Sequence, residues 1–294
     1  MRKGAIHAVG SLGLLVITTS GASQIRNVTV TSAASFESGL PPPGSITAIF
    51  CTGLTGIAGV VQASAFPLPK ELAGVSVMIG GAAAPIFAVA SLDGYQQINA
   101  QVPLEAVASP DGIAVLVQSN GLKADPVHIP TNRPTPGDFF RMPGGREIAF
   151  LGLFQHAHDY SLVTSQNPAR PGETLIGYLT GLPGTNPPVP TGEAAPSSPP
   201  AIVPQFTMRG VPGWDIYTIR LGNLDTNNPI EVTPSSLGLV PGLAGVFQVN
   251  FTVPLAWSGG STWLNLTRDR WGGMFSGGRP IINSSAPVFL PITQ

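Results

Sequence analysis

The sequence predicts an all-β protein made of two antiparallel β-sandwiches in tandem, and three observations carry that prediction. Of 294 residues, 36 are Gly and 31 are Pro, a density of backbone punctuation that excludes long helices. Only 10 % of the residues are charged and 43 % are hydrophobic, which excludes a disordered chain and supplies a large core. Finally, the chain repeats itself. Pro43-Gly44-Ser45-Ile46-Thr47-Ala48-Ile49-Phe50-Cys51-Thr52-Gly53-Leu54 aligns without gaps on Pro171-Gly172-Glu173-Thr174-Leu175-Ile176-Gly177-Tyr178-Leu179-Thr180-Gly181-Leu182. Gln97-Ile98-Asn99-Ala100-Gln101-Val102-Pro103 matches Gln248-Val249-Asn250-Phe251-Thr252-Val253-Pro254 with apolar and polar positions in phase. An internal repeat fixes domain count better than length does.

From the N-terminus, Met1-Arg2-Lys3 is basic, residues 5–17 are mostly apolar, and Ser20-Gly21-Ala22-Ser23 offers small residues for cleavage. Residues 1–23 therefore read as a secretory signal peptide. The apolar run falls short of the roughly 20 residues that span a bilayer, and Gly10 and Gly13 interrupt it. The mature chain is expected to be secreted, or held at the cell surface or in the periplasm, with no membrane span. A formal charge of −1 argues against nucleic acid as a partner.

The first sandwich is expected over 24–131. β-branched and aromatic residues alternate with polar or small ones over 28–31, 46–52, 75–79, 85–89, 113–118 and 127–130, and Pro-Gly or Gly-Leu pairs close the runs. In the 46–52 strand both alternating sets are apolar or small, so it should be covered on both faces. Cys51, the only cysteine, excludes an intrachain disulfide and reads as a small buried hydrophobe. Residues 132–146 form a Pro/Gly-rich connector whose prolines favour extended backbone. The second sandwich is expected over 147–294, with extra residues around 215–239 and a Gly-rich stretch from 268 to 279. Its Pro-rich loop, Asn186-Pro187-Pro188-Val189-Pro190 to Pro196-Ser197-Ser198-Pro199-Pro200, donates few ladder hydrogen bonds and is expected to lie across a sandwich edge.

The repeated segments, together with Ala34-Ser35-Phe36, Leu72-Ala73-Gly74-Val75-Ser76-Val77 and Asn167-Pro168-Ala169-Arg170, make the chain similar to the Solibacter-type C-terminal domain family of exported acidobacterial proteins. The resemblance covers nearly the whole mature chain and implies immunoglobulin-like sandwiches of the IPT/TIG kind. Cys51 departs from it, standing where a Gly is usual, and the 206–239 region is divergent. The family has no assigned catalytic residues, so the resemblance implies none here.

Few residues offer chemistry. His156-Ala157-His158-Asp159 is the one run of metal-ligand types: on a strand the two histidines would share a side and could share an ion, with a polar turn before a strand at 161–163 as the alternative. Asn223-Leu224-Asp225-Thr226-Asn227-Asn228 offers oxygen ligands without EF-hand spacing, so Asp225 is a weaker cation candidate beside a self-satisfied Asx turn. Asp215, Asp225 and Glu231 are the least implausible carboxylate set for glycoside cleavage. A serine hydrolase would need His128, His156 or His158 and has no G-x-S-x-G elbow. All four tryptophans, Trp214, Trp257, Trp263 and Trp271, fall in the second copy. Trp263 reads as core; Trp214 and Trp271, beside Gly and Pro, are the candidates for stacking on a sugar or a protein. Gln97 and Asn99, like Gln248 and Asn250, read as amides that tie down loop backbone.

The sequence thus supports an exported, non-catalytic structural, adhesion or interaction module, with no cofactor, whose partner is a protein or polysaccharide outside the cytoplasm. The alternatives are a carbohydrate-binding module using Trp214 and Trp271 and, more remotely, a metal-dependent enzyme using His156 and His158.

Overall fold

The computed structural model describes residues 25–130, 136–142, 150–204, 215–222, 229–271 and 280–293; residues 1–23, expected to be a signal peptide, lie outside them. Every regular element among them is a strand, and no helix is long and apolar enough to cross a membrane. The first half contains β1 (Arg26–Ser32), β2 (Ile46–Thr52), β3 (Gly59–Gln62), β4 (Glu71–Leu72), β5 (Val75–Ile79), β6 (Ala82–Ala83), β7 (Ile86–Leu92), β8 (Tyr95–Gln101), β9 (Ile113–Ser119), β10 (Leu122–Lys123) and β11 (Val127–Ile129). The second contains β12 (Asp138–Phe139), β13 (Phe154–His156), β14 (Thr174–Thr180), β15 (Asp215–Leu221), β16 (Ile230–Val232), β17 (Ser236–Leu239), β18 (Phe247–Thr252), β19 (Thr262–Trp271), β20 (Pro280–Ser284) and β21 (Val288–Leu290).

Each half is a pair of antiparallel sheets. In the first, β1-β2-β8-β7-β3 faces β10-β9-β5-β4, with β11 beside β9 and β6 beside β5. In the second, β12-β14-β18-β17 faces β16-β15-β19-β20, with β13 beside β14 and β21 beside β19. The repeat holds at the level of register. Ile46 pairs with Gln101 across β2 and β8, and Thr174, its counterpart, pairs with Thr252 across β14 and β18. Two separate hydrophobic cores result, one around Ile49, Val77, Ile98 and Val117, the other around Leu175, Ile219, Phe251 and Leu264. Alternation explains them: Val75, Val77 and Ile79 are fully buried while Ser76 and Met78 are not. In the second core Phe154 lies opposite Gly177, whose missing side chain leaves room for the ring, and Phe154 packs against Phe139 and Phe251 at 5.5 and 6.1 Å between centroids.

Several expectations change. The connector drawn at 132–146 contains β12, which pairs with β14 and belongs to the second sandwich. Residues 161–163 do not form a strand; Leu162 makes one isolated bridge to Gln155, because Asp159 and Asn167 take the Ser161 N–H and Leu162 carbonyl. Gln97 and Asn99 bond to each other at 2.7 Å instead of holding a loop. The loop-tying amide is Gln96, which accepts from Leu54 N–H and donates to Leu54 O, both at 2.8 Å.

The halves meet head to tail through a small set of side-chain hydrogen bonds. Thr180, at the end of β14, accepts the Ile46 N–H at the start of β2 (2.9 Å) and donates to Gly245 O (2.7 Å). Ser35 donates to Asp138 at 3.1 Å, and Arg141 donates to Ser35 O at 2.9 Å. Burial holds the Arg141 pKa below its ordinary value, opposed by the charges of Glu37 and Asp138. Gln101 bridges Gly44 O (3.1 Å) and Gly192 N–H (2.6 Å). The Pro-rich loop bonds the first sandwich at 191–192, and the residues just after it, 201–203, cover the edge of β17 through Val203 N–H to Leu237 O and Leu239 N–H to Ala201 O, both 2.9 Å. Ile46 faces the second sandwich near Gly245, so β2 is covered on both sides.

Candidate functional site

The histidine run is set by the edge of the second sandwich. β13 pairs with β14 so that His156 lies opposite Leu175, and the chain then reverses: Tyr160 N–H returns to His156 O (2.9 Å) and His156 N–H to Ser161 O (3.0 Å). Tyr160 takes a positive φ of 60° to close this turn. His158 therefore stands in a turn, not on a strand, yet its ring is 5.7 Å from that of His156, edge to face. Pro171-Gly172 turns the chain into β14 and places Glu173 beside them.

Glu173 is what sequence reasoning missed. Its Oε1 lies 2.6 Å from His156 Nδ1 and 3.3 Å from His158 Nδ1, and its Oε2 accepts the Arg170 N–H at 3.0 Å. The donor atoms of all three residues fall within 4.8 Å of one another. His156 donates from Nε2 to Asn167 O at 3.2 Å, and His158 Nε2 is 3.3 Å from Asp159 Oδ2. Asp159 Oδ1 accepts from Ser161 N–H (2.9 Å) and Oγ–H (2.8 Å), bonds that hold its carboxyl below the usual range. His156 is 3 % exposed, whereas the His158 side chain is 68 % exposed. The repeat contained the signal: Glu173 stands where the first copy has Ser45.

The other candidates fare unevenly. Trp214 and Asp225 lie outside the described residues, as does the 223–228 turn; the Trp271 backbone ends β19 and its side chain is outside the description. Trp263 is not core. Leu264 points inward and Trp263 outward, half-buried between Phe150 (6.0 Å) and Phe289 (5.7 Å), with the Arg141 guanidinium 4.8 Å over Phe150. Trp257 packs partly against the second core and donates to Gly260 O at 2.8 Å. Glu231 pairs with Arg220 at 2.8 Å and Asp215 with Arg268 at 3.6 Å, so both carboxylates serve cross-strand ion pairs. Burial pushes the Cys51 thiol up to about 11, away from thiolate chemistry. His128 sits exposed on β11. Between the halves lies a cleft of about 80 Å³ lined by Leu104, Pro188, Val189, Leu239 and Phe247; the amide of Gln101 beside it is already bonded at both ends.

No family model matches the sequence, and no curated protein matches it. Among solved structures, the collagen adhesin from S. aureus is 8 % identical over 92 % of this chain and 95 % of that one, at a TM-score of 0.20. An endo-fucoidan hydrolase from glycoside hydrolase family 107 is 13 % identical over 86 % of this chain, at a TM-score of 0.16. This chain spans 28 % of that hydrolase's length. Likenesses this loose supply no residue correspondence.

Proposed function

We propose that the chain is an exported, non-catalytic interaction module of the Solibacter-type, immunoglobulin-like kind, working as a stiff two-sandwich body that presents its loops to a partner outside the cytoplasm. The observation that supports this reading is the junction: two complete cores joined by buried, directional hydrogen bonds through Thr180, Gln101 and Ser35–Asp138. A tether between independent domains needs no such bonds; a body that must hold two surfaces in fixed relation does. The test is retention of the mature protein on envelope material and insoluble polysaccharides, with reducing-end release measured in parallel. Saturable retention without product is expected, and protein-dependent product would overturn the reading.

Carbohydrate recognition is the second reading. It draws on the aromatic face of Trp263, Phe289 and the half-exposed Phe150 beside Arg141, a surface type that stacks on sugar rings. Trp263→Ala should then abolish polysaccharide retention while the fold persists; unchanged retention removes this face from consideration.

A further inference from the structure

We infer that His156, His158 and Glu173 bind one divalent transition-metal ion and leave a coordination position open to a ligand from outside the chain. Both rings turn Nδ1 toward one carboxylate oxygen, Glu173 Oε1, at 2.6 Å from His156 and 3.3 Å from His158, and the donor atoms of the three residues lie within 4.8 Å of one another. The far nitrogen of His156 is directed to Asn167 O and that of His158 lies beside Asp159 Oδ2, so each ring is held from behind while its other nitrogen converges on the carboxylate. One metal ion can take both rings and the carboxylate together.

The spacing suits an ion of zinc type. Bonds of about 2.0–2.2 Å in tetrahedral array put donor atoms about 3.3 Å apart. The His158–Glu173 separation is already 3.3 Å. The His156–Glu173 pair, at 2.6 Å, must open by about 0.7 Å to reach that donor spacing, a shift within reach of a carboxylate on two flexible carbons. Two imidazoles and one carboxylate select Zn²⁺, Cu²⁺ or Ni²⁺ over Ca²⁺ and Mg²⁺, which take oxygen ligands. The supporting contacts are those a metal histidine has: a carbonyl behind one ring, a carboxylate behind the other, and that carboxylate itself fixed by Ser161.

Burial sets the open position. His156 closes the inner side and the exposed His158 leaves the outer side to solvent, so three protein ligands and one exchangeable site result, unlike the four closed ligands of a structural zinc. The site stands at the end of β14 opposite Thr180 and hence away from the first sandwich. It does not depend on the interaction-module reading.

The test uses the mature, untagged chain stripped with chelator, titrated calorimetrically with ZnCl₂ and loaded with Cu²⁺ for electron paramagnetic resonance. One equivalent should bind. His158→Ala and Glu173→Gln should each weaken binding about tenfold or more, and Asp159→Asn about tenfold, while His128→Ala, exposed in the other sandwich, leaves it unchanged. The Cu²⁺ spectrum should show coupling to two nitrogens, falling to one in His158→Ala. His158 is exposed, so its removal leaves the fold intact, and melting curves verify this for each variant. Absent binding, parent-like affinity in folded His158→Ala, an equal loss in His128→Ala, or a copper spectrum without nitrogen coupling would overturn the site.

Discussion

Thr180→Val tests the junction at its most buried contact. The substitution keeps shape and removes one hydroxyl, so no cavity arises, and what is lost is polar satisfaction alone. That hydroxyl accepts Ile46 N–H at 2.9 Å and donates to Gly245 O at 2.7 Å, and Thr180 is 1 % exposed. A buried backbone group left without its partner costs about 1–3 kcal/mol. With two such groups and partial relaxation, the loss should be about 2–4 kcal/mol. The assay is urea unfolding followed by two probes. All four tryptophans belong to the second half of the sequence, so their fluorescence reports the second sandwich while far-ultraviolet circular dichroism reports both. In the parent the two curves should coincide; in Thr180→Val they should separate, because a weakened junction couples the two cores less tightly. Thr252→Val, which removes an exposed cross-strand hydroxyl contact of 3.0 Å to Thr174, is the control and should cost less than about 0.5 kcal/mol. A Thr180→Val loss as small as the control, with coincident curves, would refute the reasoning.

Three further outcomes concern Gly245 at the junction and Cys51 and Gln96 in the first sandwich. Gly245→Ala should destabilise by about 1–3 kcal/mol, since φ is +65° there and a Cβ would stand 2.9 Å from Gly44 O; an unchanged urea midpoint would contradict this. Cys51 has its folded pKa raised from 9.0 to about 11 by burial, so its stabilising share is complete below pH 9 and is lost as pH rises through about 11, by at most about 2–3 kcal/mol. The parent should lose stability over that window relative to Cys51→Ala, and parallel pH curves would count against it. Gln96→Ala should free the loop after β2, raising hydrogen exchange at the Leu54 amide about tenfold for a loss of about 1.4 kcal/mol; unaltered exchange would show the amide is not the tie.

What the sequence made legible was whatever depends on strand alternation and turn residues. The aligned segments at 43–54 and 171–182 are short-range patterns, and they dictate the matching registers of β2 with β8 and β14 with β18. Facing was less legible. Trp263 sits between Thr262 and Leu264, and alternation alone says that neighbours point oppositely without saying which set points inward; the inner set is Leu264 and Leu266. Pairing across distance was not legible at all. Glu173 lies 17 residues from His156, and only the β13–β14 ladder brings them together. The absent strand at 161–163 has the same origin, since Asp159 and Asn167 compete for backbone groups that a ladder would have used.

The repeat also explains why the metal candidate belongs to one copy. Equivalent positions at the two ends of β2 and β14 have opposite surroundings, because the sandwiches are stacked head to tail. Ser45, before β2, is fully buried against the second sandwich, and a Cβ on Gly181 would come within 2.7 Å of its Oγ. Glu173, the same repeat position in the second copy, lies at the end of β14 opposite the first sandwich and remains partly open. At the opposite ends the pattern reverses: Thr180 is buried in the junction, while its counterpart Thr52 is exposed and bonds only within its own sandwich, to Arg26 O and Asn27. At these two repeat positions the junction carries small hydroxyl residues, Ser45 and Thr180, that donate to backbone carbonyls, while Asp138 and Arg141 place charge elsewhere in it. A charged carboxylate at position 45 would be buried in that junction, whereas at 173 it reaches a solvent-facing turn where histidines can join it. The proposed ligand set thus follows from which end of β14 the stacking leaves uncovered, the end opposite Thr180 and the junction.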